Sequence, residues 1–206
     1  MYKFMVTVPI DQVTEARRTC RVLKDGIGKL RDQLAELEAV DPSRDSLAAR
    51  DRAEAERQRI TEDLENAKAE AVKAIHEKAE AYEAEIGRQT AMKGDELNGP
   101  DYALIRDGLI TDADQLKMMA DRNQTNYTLM VAIDRYASSR RWDGFTVISN
   151  APMVESFGQA WFKLCETAAQ NPDGLAMFQI MTEGELRRML IEYGLLEATQ
   201  LPENEA

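Results

Sequence analysis

The sequence has little of what enzymes use for catalysis. Its 206 residues include one histidine, His76, and two cysteines, Cys20 and Cys165. It contains no Gly-rich nucleotide-binding loop, no nucleophile elbow and no zinc-binding cysteine spacing. Catalysis needs polar groups that converge, and the abundant carboxylates are instead spread along predicted helical surfaces. We therefore expect a protein that is not an enzyme and that has no catalytic residue, cofactor or metal ion.

Positive charge and long apolar runs are scarce as well. The chain has 26 Lys and Arg residues against 37 Asp and Glu residues, and its formal net charge is −11. Such a protein repels nucleic acid and anionic membranes at long range, so we expect protein partners instead. No window approaches the roughly 20 apolar residues of a membrane span, and Pro9 and Asp11 interrupt the first apolar stretch. These features predict a cytoplasmic protein without membrane contact.

The two cysteines lie on apolar faces of predicted helices. Small buried thiols are common in the cores of cytosolic proteins, where the redox environment keeps them reduced. We therefore expect Cys20 and Cys165 to be reduced core residues, with a disulfide as the alternative interpretation.

Aromatic residues are sparse in the first half of the chain, where only Tyr82 lies between Phe4 and Tyr102. That half cannot build a globular core by itself. From position 13, however, apolar residues recur at alternating intervals of three and four over four heptads. This spacing places them on one stripe of a helix, which has to be buried against another helix. The stripe consists of Val13, Ala16, Cys20, Leu23, Ile27, Leu30, Leu34 and Leu37.

A second long helix is predicted after Asp41 and Pro42, because Asp favours a helix cap and Pro favours the first helical position. With a tight turn there, the two helices form an antiparallel pair in which Leu37 faces Leu47, Leu30 faces Ala53 and Leu23 faces Ile60. The second half of the predicted coiled-coil seam is then Leu47, Ala53, Ile60, Leu64, Ala67 and Ala71.

These patterns predict a mainly α fold: a long antiparallel helical hairpin, the coiled coil of residues 11–93, projecting from a small helical head. Residues 1–10 and 98–196 form the head, and the distal part of the second helix, residues 72–93, packs into it. The head contains a minor two-stranded β element, because residues 2–8 and 145–149 are the two stretches rich in β formers. Residues 197–206 are expected to be a disordered acidic tail.

One basic cluster stands out in the acidic chain. Arg135, Arg140 and Arg141 lie close together in sequence and are followed by Trp142. We regard these four residues as a candidate partner patch. They support an alternative function, an intracellular adaptor or regulatory binding module with a local nucleic-acid contact.

Three segments resemble a known class of proteins. They are residues 101–106 (DYALIR), residues 112–116 (DADQL) and residues 126–130 (NYTLM) with Arg135, Tyr136 and Ala137. Together they are similar to small helical, coiled-coil-containing structural and assembly proteins that tailed phages and prophages encode near their head genes. The resemblance implies virion assembly, self-association into a homo-oligomer, and a location in the host cytoplasm or the virion. Our first hypothesis is therefore a non-enzymatic assembly protein.

Overall fold

The protein is mainly α-helical, as the sequence predicts. A computed structural model describes residues 2–38, 47–142, 147–182 and 184–196. The long helices are α1 (Ile10–Glu38) and α2 (Leu47–Thr90). A 3₁₀ turn at Asp95–Asn98 leads to the shorter helices α3 (Pro100–Arg106), α4 (Ala113–Arg122), α5 (Tyr127–Arg140), α6 (Ala151–Gln170), α7 (Leu175–Met181) and α8 (Glu185–Glu192). The predicted turn at Asp41 and Pro42 and the predicted acidic tail lie outside the described residues.

The predicted β element is present, in a shorter form. Strand β1 (Tyr2–Phe4) pairs with β2 (Val147–Ser149) in parallel, with Tyr2 opposite Val147 and Phe4 opposite Ser149. Phe145 lies outside the described residues. The pairing places the start of the chain against the loop before α6.

Side-chain amides continue this pairing beyond the end of β1. The Asn150 side chain accepts a hydrogen bond from the Val6 N–H at 2.6 Å and donates one to the Val6 carbonyl at 3.0 Å. The Gln89 side chain does the same for Thr7, at 2.8 and 3.2 Å. Two carboxamides, one before α6 and one on α2, thus satisfy the backbone groups that an extended segment would otherwise leave unpaired.

Helix α6 is the centre of the core. Val154, Phe157, Trp161 and Cys165 are fully buried on its inner face. The Trp161 indole N–H donates to the Val13 carbonyl of α1 at 3.0 Å, and the Tyr82 hydroxyl of α2 donates to the Val154 carbonyl at 2.7 Å. Helix α6 therefore contacts both long helices, and each contact combines apolar burial with a satisfied polar group.

A buried arginine joins α1 to the end of α7. Arg17 is only 2 % exposed, and its guanidinium donates to the carbonyls of Ile180 and Thr182 at 2.9 and 3.0 Å. The Ile180 carbonyl belongs to the last turn of α7, where carbonyls have no donor within the helix, and the Thr182 carbonyl, just after α7, also accepts from the Glu185 N–H at 3.3 Å. A cation in this position also interacts favourably with the helix dipole. Arg17 therefore fixes α7 against α1.

None of the helices in the described parts of the chain is both long enough and apolar enough to cross a membrane.

Candidate functional site

The long helices α1 and α2 run in opposite directions along each other. Near the far end of α1, the Leu37 carbonyl accepts a hydrogen bond from the Arg57 side chain at 3.1 Å. At the other end, Thr7, just before α1, is held by Gln89 of α2. Low numbers in α1 therefore meet high numbers in α2, and the pair is antiparallel over the described residues.

The predicted seam residues lie in graded environments along this pair. The most buried group, each with 7 % exposure or less, is Val13, Ala16, Cys20, Leu23, Ile27, Ile60 and Ala71. The half-buried group is Leu30, Leu34, Leu37, Ala53, Leu64 and Ala67. Leu47 is 76 % exposed. Burial is thus complete beside the head and decreases towards the far end of the helices.

The contiguous hydrophobic core includes the seam of α1 only as far as Ile27. Leu64 of α2 packs against this core, whereas Ile60 is buried outside it. An exposed ion pair joins Arg31 of α1 to Asp173, in the turn before α7. No apolar residue of the described segments 32–38 and 47–59 belongs to the contiguous core or packs against it.

An open groove separates α1 from α2 on one side of the pair. Its volume is about 470 Å³. The α2 wall is made of small residues, Ala67, Ala71 and Ala74, and Gly26 of α1 leaves its centre without a side chain. Val22 stands at the edge with 65 % exposure. The remaining lining residues are Glu15, Arg18, Thr19, Leu23, Leu30 and Glu70.

This groove also shows how the helices are aligned. Leu23 and Leu30 line it together with Ala67, Ala71 and Ala74. The tight-turn alignment instead places Ile60 and Ala53 opposite these leucines. The observed neighbours lie further along α2, so the start of α2 reaches past the end of α1. The high exposure of Leu47 is consistent with this offset.

The two walls of the groove carry opposite charge. Between Arg17 and Arg31, α1 has six basic residues and one acidic residue, Asp25. Between Glu62 and Glu85, α2 has eight acidic residues and three basic residues. At the groove itself, α1 contributes Arg18, which forms an exposed 3.5 Å pair with Glu15, and α2 contributes Glu70. The groove is thus an apolar strip between a stretch of α1 with net positive charge and a stretch of α2 with net negative charge, and its own α1 edge carries both Glu15 and Arg18.

The predicted partner patch is divided in the structure. Arg140 lies over the ring of Tyr136, 5.2 Å from its centroid, and Trp142 packs edge-on against the same ring. Arg141 ends α5 in the left-handed conformation and is exposed. Arg135 instead lines a separate cavity of about 190 Å³ beside β1 and β2, together with Asp134. The four residues therefore do not form one continuous basic surface.

Sequence reasoning did not identify the groove, because Val22, Gly26 and Ala74 lie outside the predicted seam. A signal was present: Ala67, Ala71 and Ala74 form a run of small residues at helical spacing, and Gly26, beside the apolar stripe of α1, has no side chain. Because side chains normally fill the space between packed helices, small residues on both helices leave part of it open. Among the described residues, no group of three or more His, Cys, Asp or Glu side chains is arranged to hold a metal ion.

Comparisons with known proteins do not extend this description. The chain has no significant match among protein-family models, curated proteins or solved structures.

Proposed function

We propose that this protein is a non-enzymatic assembly protein that self-associates through α1 and α2. The observation that carries the proposal is the open apolar groove between these helices, which lies between a net-basic stretch of α1 and a net-acidic stretch of α2. Monomeric proteins usually cover apolar strips of this kind, and uncovered ones commonly mark sites of protein association.

The occupant that fits the groove best is the same surface of a second copy. A two-fold axis through the groove sets α1 of each copy against α2 of the other, because the surface is then paired with itself. The four helices alternate basic, acidic, basic and acidic around the bundle. Arg18 of one copy then lies near the edge that contains Glu70 of the other. Complementary charge favours this arrangement and disfavours one in which the two α1 helices face each other.

In this proposal the far part of the α1–α2 pair acts as a coiled-coil arm. Its heptad spacing supports close helix packing, and its half-buried leucines, Leu30, Leu34 and Leu37, leave apolar surface for a partner to cover. The arm and the groove are continuous along the helix pair. Self-association is therefore expected to involve the length of both helices.

The setting in virion assembly rests on the resemblance of residues 101–137 to phage and prophage structural proteins. Acidic, helical, self-associating chains are typical of that class. We therefore propose that the protein acts in phage head assembly, in the host cytoplasm.

Association of the full chain tests this function. Sedimentation velocity over a range of protein concentrations should show a reversible dimer that weakens as salt is raised. Val22→Glu should weaken dimerisation at least about tenfold, because the new carboxylate would be buried without a partner. Met118→Glu is the matched control, since Met118 is 69 % exposed on α4, away from the groove.

A charge exchange tests the pairing of the helices. Arg18→Glu should weaken dimerisation, and Arg18→Glu combined with Glu70→Arg should restore most of it. A protein that sediments as a monomer at all concentrations would contradict the proposed function. A dimer that Val22→Glu leaves unchanged would contradict the proposed surface.

A further inference from the structure

The two cysteines of the chain meet in the core although 145 residues separate them. Cys20 lies on α1 and Cys165 on α6, and both are fully buried. The Cys20 Sγ donates to the Cys165 carbonyl at 3.6 Å. The interaction between the two thiols lowers the pKa of Cys20 and raises the pKa of Cys165.

Other contacts hold the two helices together on both sides of this pair. Towards the start of α1, the Trp161 indole donates to the Val13 carbonyl. Towards its end, Arg31 pairs with Asp173, in the turn that follows α6. Because the helices are fixed on both sides, the two sulfur atoms stay close to each other for as long as the protein is folded.

We propose that Cys20 and Cys165 form a modification site, at which a peroxide converts the two thiols into a disulfide that joins α1 to α6. A disulfide requires two cysteines on neighbouring parts of the chain, and here the Cys20 sulfur lies 3.6 Å from the backbone carbonyl of Cys165.

The reaction proceeds in two steps. The Cys20 thiolate attacks one oxygen of hydrogen peroxide, the O–O bond breaks, and a sulfenic acid and water result. The Cys165 sulfur then attacks the Cys20 sulfur, the S–S bond forms, and the Cys165 proton leaves with the hydroxyl group as a second water. Two thiols are oxidised by two electrons, and one peroxide is reduced to two waters.

The assignment of roles follows from the environment of each sulfur. The thiolate is the reactive form of cysteine, and a lower pKa increases its fraction. The interaction with Cys165 lowers the pKa of Cys20, so we assign the first oxidation to Cys20. The same interaction and burial raise the pKa of Cys165, which therefore retains its proton until it attacks the sulfenic acid.

Burial controls the rate of this reaction. Since neither sulfur is accessible to solvent, peroxide reaches Cys20 only when α1 and α6 separate transiently. We expect oxidation within minutes to hours at millimolar peroxide. We also expect it to accelerate in urea concentrations below the unfolding transition.

The test uses the full reduced chain treated with hydrogen peroxide. The expected products have a mass lower by two hydrogens, no titratable thiol after denaturation, and a peptide pair that links Cys20 to Cys165. The melting temperature should rise by about 10 °C, because the bridge restricts the unfolded chain over a long loop, and dithiothreitol should reverse the rise. In the Cys165→Ser variant, peroxide should instead add one oxygen atom to Cys20, which is measured as a gain in mass.

Three outcomes would overturn the proposal. The first is two intact thiols under conditions that oxidise free glutathione completely. The second is oxygen addition to the wild-type chain without a disulfide. The third is a disulfide only between chains, seen as a dimer on non-reducing electrophoresis.

Discussion

At the scale of single residues, Tyr82 packs directly against Gly158. A Cβ atom at position 158 would lie 2.2 Å from Cε1 of Tyr82. The ring would have to shift to make room for it, although it is 1 % exposed and its hydroxyl is bonded to the Val154 carbonyl. Burial, together with the charge of Glu155, raises the pKa of this hydroxyl and keeps it protonated. Glycine at 158 is therefore what allows α2 to approach α6.

We expect Gly158→Ala to lower the free energy of unfolding by about 1–3 kcal/mol, because the added methyl group overpacks a rigid contact. Urea denaturation measures the change. The matched control is Gly28→Ala, also in a helix, where a Cβ meets nothing within 4 Å. That variant should raise stability by about 0.5–1 kcal/mol, since alanine favours helices. Equal changes in the free energy of unfolding for the two variants would show that the contact between Tyr82 and position 158 does not contribute to stability.

The sequence predicted the burial of many residues but not their partners. Val13, Ala16 and Cys20 follow a heptad stripe, and the stripe alone indicates only that some helix covers them. In the structure α6 covers this region as well as α2, through Trp161 and Cys165. Periodicity cannot distinguish these two partners, because both present an apolar helical face. The sequence does not indicate that Arg17 is the arginine that binds the end of α7. Arg18 and Arg21 are the same residue type in the same helix, and nothing in the sequence distinguishes them from Arg17.

At the scale of secondary structure elements, the β pair and the extended segment after it attach the start of the chain to the head. Val6 and Val8 are 0 % and 2 % exposed, and their burial depends on a backbone held by Asn150 and Gln89. The pairing of the two strands could be predicted, because only two stretches are rich in β formers. The parallel direction of the two strands could not be predicted. Residue composition is the same for either strand direction, and strands this far apart in sequence can pair in either way.

Deletion of residues 1–8 should therefore destabilise the head, although its other elements remain intact. We expect the melting temperature to fall by more than about 10 °C, because buried valines and several backbone hydrogen bonds are lost together. Amide exchange at Asn150, whose N–H donates to the Phe4 carbonyl at 3.3 Å, should become fast. An unchanged melting temperature with unchanged protection at Asn150 would contradict this role of the first residues.

At the scale of the whole molecule, we expect the far part of the α1–α2 pair to be separable from the head. The contiguous core ends at Ile27 on α1 and includes α2 from Ala71 onwards, with Leu64 packed against it. The sequence predicted the long helices from their apolar spacing. It did not predict how far the head extends along them, because that limit is set by contacts such as Arg31 with Asp173.

Replacing residues 32–60 with a short Gly-Ser loop should leave a head that melts cooperatively, within a few degrees of the full chain. Scanning calorimetry measures this directly. A larger replacement, of residues 20–70, is the control, because it also removes Cys20, Leu23 and Ile27 from the core. That protein should not fold. Loss of cooperative melting in the smaller replacement would show that the arm and the head are one unit.

The parallel pairing of β1 with β2 has a consequence for synthesis on the ribosome. Several partners of this region lie at or beyond residue 147: β2 pairs with β1, Trp161 binds the Val13 carbonyl, and the Ile180 carbonyl accepts from Arg17. At a translation rate of about 5–20 residues per second, the emerging chain waits for roughly 10–40 s before those partners exist. During this time the part of α1 that α6 and α7 cover is exposed to solvent. We therefore expect the nascent chain to bind chaperones that recognise apolar segments, and slower translation to increase its aggregation.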